Sequence, residues 1–135
     1  MLTGNIGSGF GVAGRNLSPV EILICKRIGF KSVVHGTLNV RLNEPYFIKP
    51  NALIEVHEYK INNEKILLQR CRIRGLRGVI TRPDSHERGY AHGPSHIEIM
   101  GEHHFRNVLN LKDNDIVQVE VEGNEEWWNS PEVTV

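Results

Sequence analysis

A single stretch of this chain, Ser18 to Gly29, carries the marks of a full helix, and that scarcity limits the fold more than any other feature. Ser18-Pro19-Val20-Glu21 reads as a capping box with proline at the first helical position. Ile22, Leu23, Cys25 and Ile28 then recur at helical spacing, and Gly29 supplies the stop. Elsewhere β-type runs dominate: Met1 to Ile6, then 32–42, 52–59, 65–74, 77–81, 96–100 and 115–121. Asn62-Asn63 marks a hairpin turn, and a short helix is expected near 102–109. Strands and long helices do not alternate, so a doubly wound α/β sheet is excluded. The expected class is all-β: a small closed six-stranded barrel, with one main helix and a short second helix.

At 135 residues the chain holds enough sequence for one real core. The expected division is a barrel domain over 1–122 and an acidic C-terminal tail over 123–135. Trp127-Trp128 sits between acids in that tail and is expected to dock on the barrel or on a partner subunit. No apolar run is long enough to cross a membrane, and the first residues lack the form of a signal peptide. Cys25 and Cys71 have no metal-type spacing and read as buried free thiols, which points to the cytoplasm. The formal charge is zero, which argues against a nucleic-acid partner. Charge is nonetheless uneven: eight Lys or Arg against three acids from Lys60 to Arg88, then seven acids and no base from Asp113 onward. The alternating Arg70, Arg72 and Arg74 read as a solvated strand face, with a phosphate-binding patch as the rival.

Two segments carry chemistry. In Gly36-Thr37-Leu38-Asn39-Val40-Arg41-Leu42, the hydroxyl of Thr37 and the carboxamide of Asn39 project to one face, because strand residues two apart share a face. Two neutral oxygen ligands suit Mg²⁺, which keeps waters and takes further ligands from phosphates. Gly36 lets a substrate approach the backbone. The plainer reading is a half-buried strand with two polar residues facing water. Near the N-terminus, Gly4-Asn5-Ile6-Gly7-Ser8-Gly9-Phe10-Gly11-Val12-Ala13-Gly14-Arg15 packs five glycines into eleven residues and ends on an arginine. Such a loop can turn its N–H groups around anionic oxygens, and Arg15 adds a forked donor. It is neither a Walker A loop nor a dinucleotide fingerprint, for want of a Gly-Lys-Ser/Thr and of a βαβ unit. The plainer reading is a flexible turn.

With these residues in view, the chain resembles the archaeal-type, CTP-dependent riboflavin kinases. The resemblance rests on the glycine loop ending Gly14-Arg15, on Gly29-Phe30 ahead of Gly36-Thr37-Leu38-Asn39, and on Ile97-Glu98-Ile99. Phe105-Arg106 and Asn110-Leu111-Lys112-Asp113-Asn114-Asp115 extend it over nearly the whole chain. It implies that Gly9, Phe10, Gly11, Gly14 and Arg15 bind nucleotide phosphates, and that Thr37 and Asn39 hold Mg²⁺. It further implies that His103, His104, Phe105 and Arg106 touch the nucleotide and that Glu98 meets the flavin. The sequence departs from the family in two places. Where the family has Ala-Pro, two residues and Leu-Arg, this chain reads Gly101-Glu102-His103-His104-Phe105-Arg106. In the loop 83–96 the family's flavin-contacting threonine has no clear counterpart; Thr81 lies too early and Tyr90 sits near its place.

The implied activity is phosphoryl transfer from CTP to riboflavin, giving FMN, which needs positioning and charge neutralisation more than covalent help. Glu98 is the candidate to orient or deprotonate the acceptor hydroxyl, with a rim carboxylate as its plainer reading. Expected partners are the two small-molecule substrates, with no nucleic acid and no membrane, and the protein is expected to act as a monomer or homodimer. A non-catalytic ligand-binding barrel or regulator, or a kinase with another acceptor, stands as the alternative. His86, His92, His96, His103 and His104 fall within nineteen residues, so a transition-metal barrel is a minor rival.

Overall fold

The computed structural model describes residues 1–7, 18–34, 36–59, 64–89 and 93–132. The elements run β1 (Leu2–Gly7), α1 (Ser18–Ile28), β2 (Leu38–Leu42), β3 (Ala52–Ile54), α2 (Val56–Tyr59), β4 (Ile66–Ile73) and β5 (Leu76–Pro83). They continue with α3 (Asp84–Glu87), β6 (His96–Met100), α4 (Phe105–Val108), β7 (Ile116–Val119) and α5 (Glu125–Asn129). All strand pairs are antiparallel, in the order β3-β4-β5-β6-β2-β1-β7.

The all-β expectation is therefore met in class and corrected in detail. Seven strands form the sheet, not six, and the ladder order is open, ending at β3 and β7. One isolated bridge, Arg72 with Glu120, joins β4 to the residue just past β7 through a reciprocal pair of backbone bonds of 3.0 and 2.8 Å. Among the described residues four short helices accompany α1 where one was expected. The Asn62-Asn63 turn, the loop residues Gly9, Phe10, Gly11, Gly14 and Arg15, and Tyr90 lie outside the described residues.

Strand alternation divides the apolar side chains between two cores. One face of the sheet contributes Ile6, Leu38, Val40, Leu67, Cys71, Ile80, Ile97, Ile99 and Val117 to the first. The other face contributes Ile54, Ile66, Leu68, Val79 and Met100, and α1 covers it with Val20, Ile24 and Ile28. Burying each of those three helix residues stabilises the fold by about 1.5–3 kcal/mol. The helix ends where the glycine was expected to end it: Gly29 has φ +93°, and the amides of Gly29 and Phe30 both donate to the Cys25 carbonyl. β4 and β5 turn on Arg74-Gly75, with φ +48° and +87°, the geometry of a tight hairpin.

The strip of arginines on β4 is not a solvated face. Arg72 is buried, and its guanidinium donates to the carbonyls of Trp127, Ser130 and Pro131 in the C-terminal segment. Arg70 pairs with Glu125 and lies over the Trp128 ring, whereas Arg74 is exposed in the turn. Seven acids without a base made the C-terminal end complementary to these arginines, and the fold uses that complementarity internally. Both cysteines are free, and burial pushes the Cys71 thiol far up.

Candidate active site

The α1-covered face does not stay apolar across its width. Beyond Met100 and Val79, the same face presents Thr81 on β5, Glu98 on β6 and Asn39 on β2. These three lie in one row, because Thr81 pairs with Glu98 and Glu98 with Asn39, and directly paired residues share a face. Asn39 in turn pairs with Gly7, the last residue of β1 before the glycine loop. A polar row thus runs across four strands to the root of that loop.

Within the row, Asn39 is buried and fixed. Its Oδ1 lies 3.0 Å from His96 Nε2, and its Nδ2 faces the Thr37 carbonyl at 3.5 Å. An amide oxygen only accepts, so His96 Nε2 carries the hydrogen in this pair. Asn39 Oδ1 keeps a second lone pair for a cation. Glu98 is half-buried, and burial pushes its carboxyl above the usual carboxylate range.

Next to this row lies a cavity of about 120 Å³ lined by Gly36, Thr37, Ile99, Gly101 and the segment His103 to Arg106. Two stretches of sequence that local reasoning had treated separately meet here. Backbone bonds hold them together: Val34 donates to the Gly101 carbonyl at 2.8 Å, and the Lys31 amide donates to Glu102 at 3.0 Å. Gly36 has φ +100° and open space where a Cβ would sit, which leaves the cavity mouth clear. Phe105 fills a notch that two glycines create. A Cβ on Gly101 would stand 2.9 Å from its ring, and one on Gly78 would stand 3.1 Å away.

The expected residues that the structure describes therefore fall into two groups. Thr37, His103, His104, Phe105 and Arg106 line one cavity. Asn39 and Glu98 sit together beside it, outside its lining. Arg106 has a second task that sequence did not suggest: it donates to the Gly7 carbonyl at 3.0 Å and pairs with Asp113 at 2.6 Å, bracing the root of the glycine loop. Sequence reasoning set Thr81 aside as lying too early, weighed His96 only as a metal ligand, and missed Glu132. Among the described residues no group of three or more His, Cys, Asp or Glu is arranged to hold a metal. His96 turns to Asn39 and His103 to Glu132, so these two do not converge.

A family model named CTP-dep_RFKase, described as a domain of unknown function, DUF120, matches residues 6–121. A riboflavin kinase of Methanocella arvoryzae is 36% identical over 90 residues, which make up 64% of this chain and 40% of that protein. The matched region is thus about two-fifths of that relative's length. The family match covers the polar row, the cavity and both segments that line it. The chain belongs to the archaeal-type family of CTP-dependent riboflavin kinases.

Proposed function

We propose that this chain transfers the γ-phosphoryl group of CTP to the primary hydroxyl of riboflavin, giving FMN and CDP. The observation that carries the reading is the junction of Gly36-Thr37 with His103 to Arg106 around one cavity, beside the row of Asn39 and Glu98. His103 to Arg106 form the nucleotide wall, and the glycine loop from Gly9 to Arg15 takes the phosphates. Arg106 holds the loop's root through Gly7, so donor binding and loop placement depend on one side chain.

The Thr37 hydroxyl and the second lone pair of Asn39 Oδ1 are hard oxygen donors, the kind that Mg²⁺ prefers. When bound there, Mg²⁺ would neutralise charge on the transferred group. Glu98 orients the acceptor hydroxyl and takes its proton; a carboxyl with a raised pKa is the better base near neutral pH. Thr81, directly beside Glu98, and Tyr90 complete the flavin side. The sheet is read as a barrel closed along Arg72–Glu120, acting in the cytoplasm as a monomer or homodimer, with 123–135 as an appended tail.

The test crosses four nucleoside triphosphates with riboflavin and reads product mass. FMN from CTP alone is expected. CDP release without FMN would assign a different acceptor, and no turnover with any nucleotide would favour a non-catalytic ligand-binding protein.

A further inference from the structure

The family match stops at residue 121, yet the segment 123–132 returns to the cavity wall. Its anchoring is extensive. Arg72 donates to the Trp127 carbonyl at 2.9 Å and to Ser130 and Pro131 carbonyls at 3.0 Å each. Trp128 is buried against Phe30, ring centroids 5.8 Å apart, with the Arg70 and Arg77 guanidinium groups 4.9 and 5.8 Å from its ring. Held in this way, the chain carries Glu132 to a defined place. The Glu132 carboxylate accepts from the Arg77 amide at 2.9 Å and meets His103 Nε2 at 3.0 Å, with the Arg77 guanidinium 3.6 Å away.

His103 belongs to the cavity wall, and its ring meets Phe105 edge-on at 6.5 Å. A carboxylate only accepts, so the His103 hydrogen sits on Nε2 and the ring's tautomer and orientation are set from outside the family's own segment. Burial pushes the Glu132 carboxyl up, but the Arg77 amide and the charge and hydrogen bond of His103 outweigh it, so the carboxyl is held below its usual range. Glu132 is thus an anion when it meets His103 near neutral pH.

We infer that Glu132 is a positioning residue for the nucleotide: the docked C-terminal segment uses it to fix His103 in the cavity wall, and so sets affinity for the donor. The inference rests on the reading of this cavity as the nucleotide site. It makes the tail an extra part of the donor pocket that a chain ending at the family boundary would lack.

The experiment is calorimetric titration with CDP of the unaltered full chain, Glu132→Ala, His103→Ala and the double variant, joined to steady-state kinetics. Trp128 and Arg72 are untouched in Glu132→Ala, so tryptophan emission reports whether the tail remains docked. Each single variant should weaken CDP about tenfold, equivalent to about 1.4 kcal/mol. The double variant should be no weaker than His103→Ala. KM for CTP should rise with kcat and riboflavin KM unchanged, and Glu132→Gln, which keeps an acceptor oxygen, should recover part of the loss. Wild-type affinity in Glu132→Ala beside weak binding in His103→Ala would overturn the inference and leave the cavity reading intact. Additive losses, or a fall in kcat together with a red-shifted emission, would also overturn it, because Glu132 would then act independently or merely hold the fold. No CDP binding by the unaltered chain would overturn the cavity reading and this inference with it.

Discussion

Asn39 is gripped by Thr37, just before its own strand, and by His96 of β6, and its replacement therefore has two separate consequences. Asn39→Ala removes a proposed Mg²⁺ ligand, and turnover should fall about 10²–10³-fold, the scale of losing one electrostatic partner of a transition state. It also leaves a buried His96 N–H without its acceptor, at a cost of about 1–3 kcal/mol. Alternation alone suggested a polar position whose loss the fold would not feel; burial at 6% exposure corrects that. Chemical denaturation and an FMN assay at saturating Mg²⁺ separate the two effects, and normal turnover would remove Asn39 from the site. Glu98 behaves in the opposite sense. Its pKa is raised by burial, so its favourable contribution to folding is complete below the unfolded value of about 4.3 and is lost as pH rises through the folded value. In nucleotide-free, Mg²⁺-free protein, Glu98→Gln should melt at a higher temperature than the parent at pH 7, with the difference closing near pH 4. It should make no FMN. A melting temperature at pH 7 equal to or below the parent's would contradict the buried-carboxylate account. The neighbouring polar positions of Asn39 and Glu98 were legible from a short motif and strand alternation, whereas Thr37, expected on the same strand as Asn39, falls just before β2. His96 and Glu132 were not legible, since they pair with residues 57 and 29 positions away, and no local pattern encodes such a partner.

Among the elements, α4 illustrates how a short helix becomes a wall. Its first residue, Phe105, is seated where Gly78 and Gly101 leave out their side chains, so the helix position follows from two absences. Gly101→Ala should push the Phe105 ring and the Arg77 carbonyl, each 2.9 Å from the added Cβ. The expected cost is about 1–3 kcal/mol of stability from overpacking, with a parallel loss of CDP affinity. Urea unfolding and calorimetry check both, and unchanged CDP affinity would detach α4 from the site. The main helix was legible from local signals: it ends at Ile28, just before the expected glycine stop, and it begins at Ser18, the residue expected to cap it. The run expected as a strand over 52–59 divides instead: β3 ends at Ile54 and α2 begins at Val56. There Glu58 reaches back to the Glu55 amide and pairs with Arg27 of α1, so a contact with a distant helix overrides β propensity. The expected strand over 32–42 likewise begins only at Leu38, because Val34 bonds to the Gly101 carbonyl instead of a neighbouring ladder.

At the scale of the whole molecule, the two faces of one sheet carry different duties. The first gathers an apolar core around the buried Gln69 and Arg82, and the second is shared among α1, the docked tail and the polar row. Periodicity located most strands. How β4 comes to bridge the residue past β7 was beyond it, because that depends on twist accumulated over seven strands and not on any one segment. The tail's destination was half visible. Acids at the C-terminal end and arginines at 70, 72 and 74 were complementary on paper, but only the fold brings Arg72 beneath Trp127 and Ser130.

The lone bridge between Arg72 and Glu120 has a consequence that can be timed. Its two amides are the donors of the reciprocal pair, and neither lies between ladder neighbours on that side. If the two flanks of the sheet part before the strands themselves unravel, the Arg72 and Glu120 amides exchange deuterium together, faster than the paired amides in the middle of β4 and β5. Their protection should increase when CDP is added, since the arginine that closes this seam also fastens the segment carrying Glu132 to the donor pocket. Equal exchange across β4, with or without nucleotide, would mean that the seam and the pocket open independently.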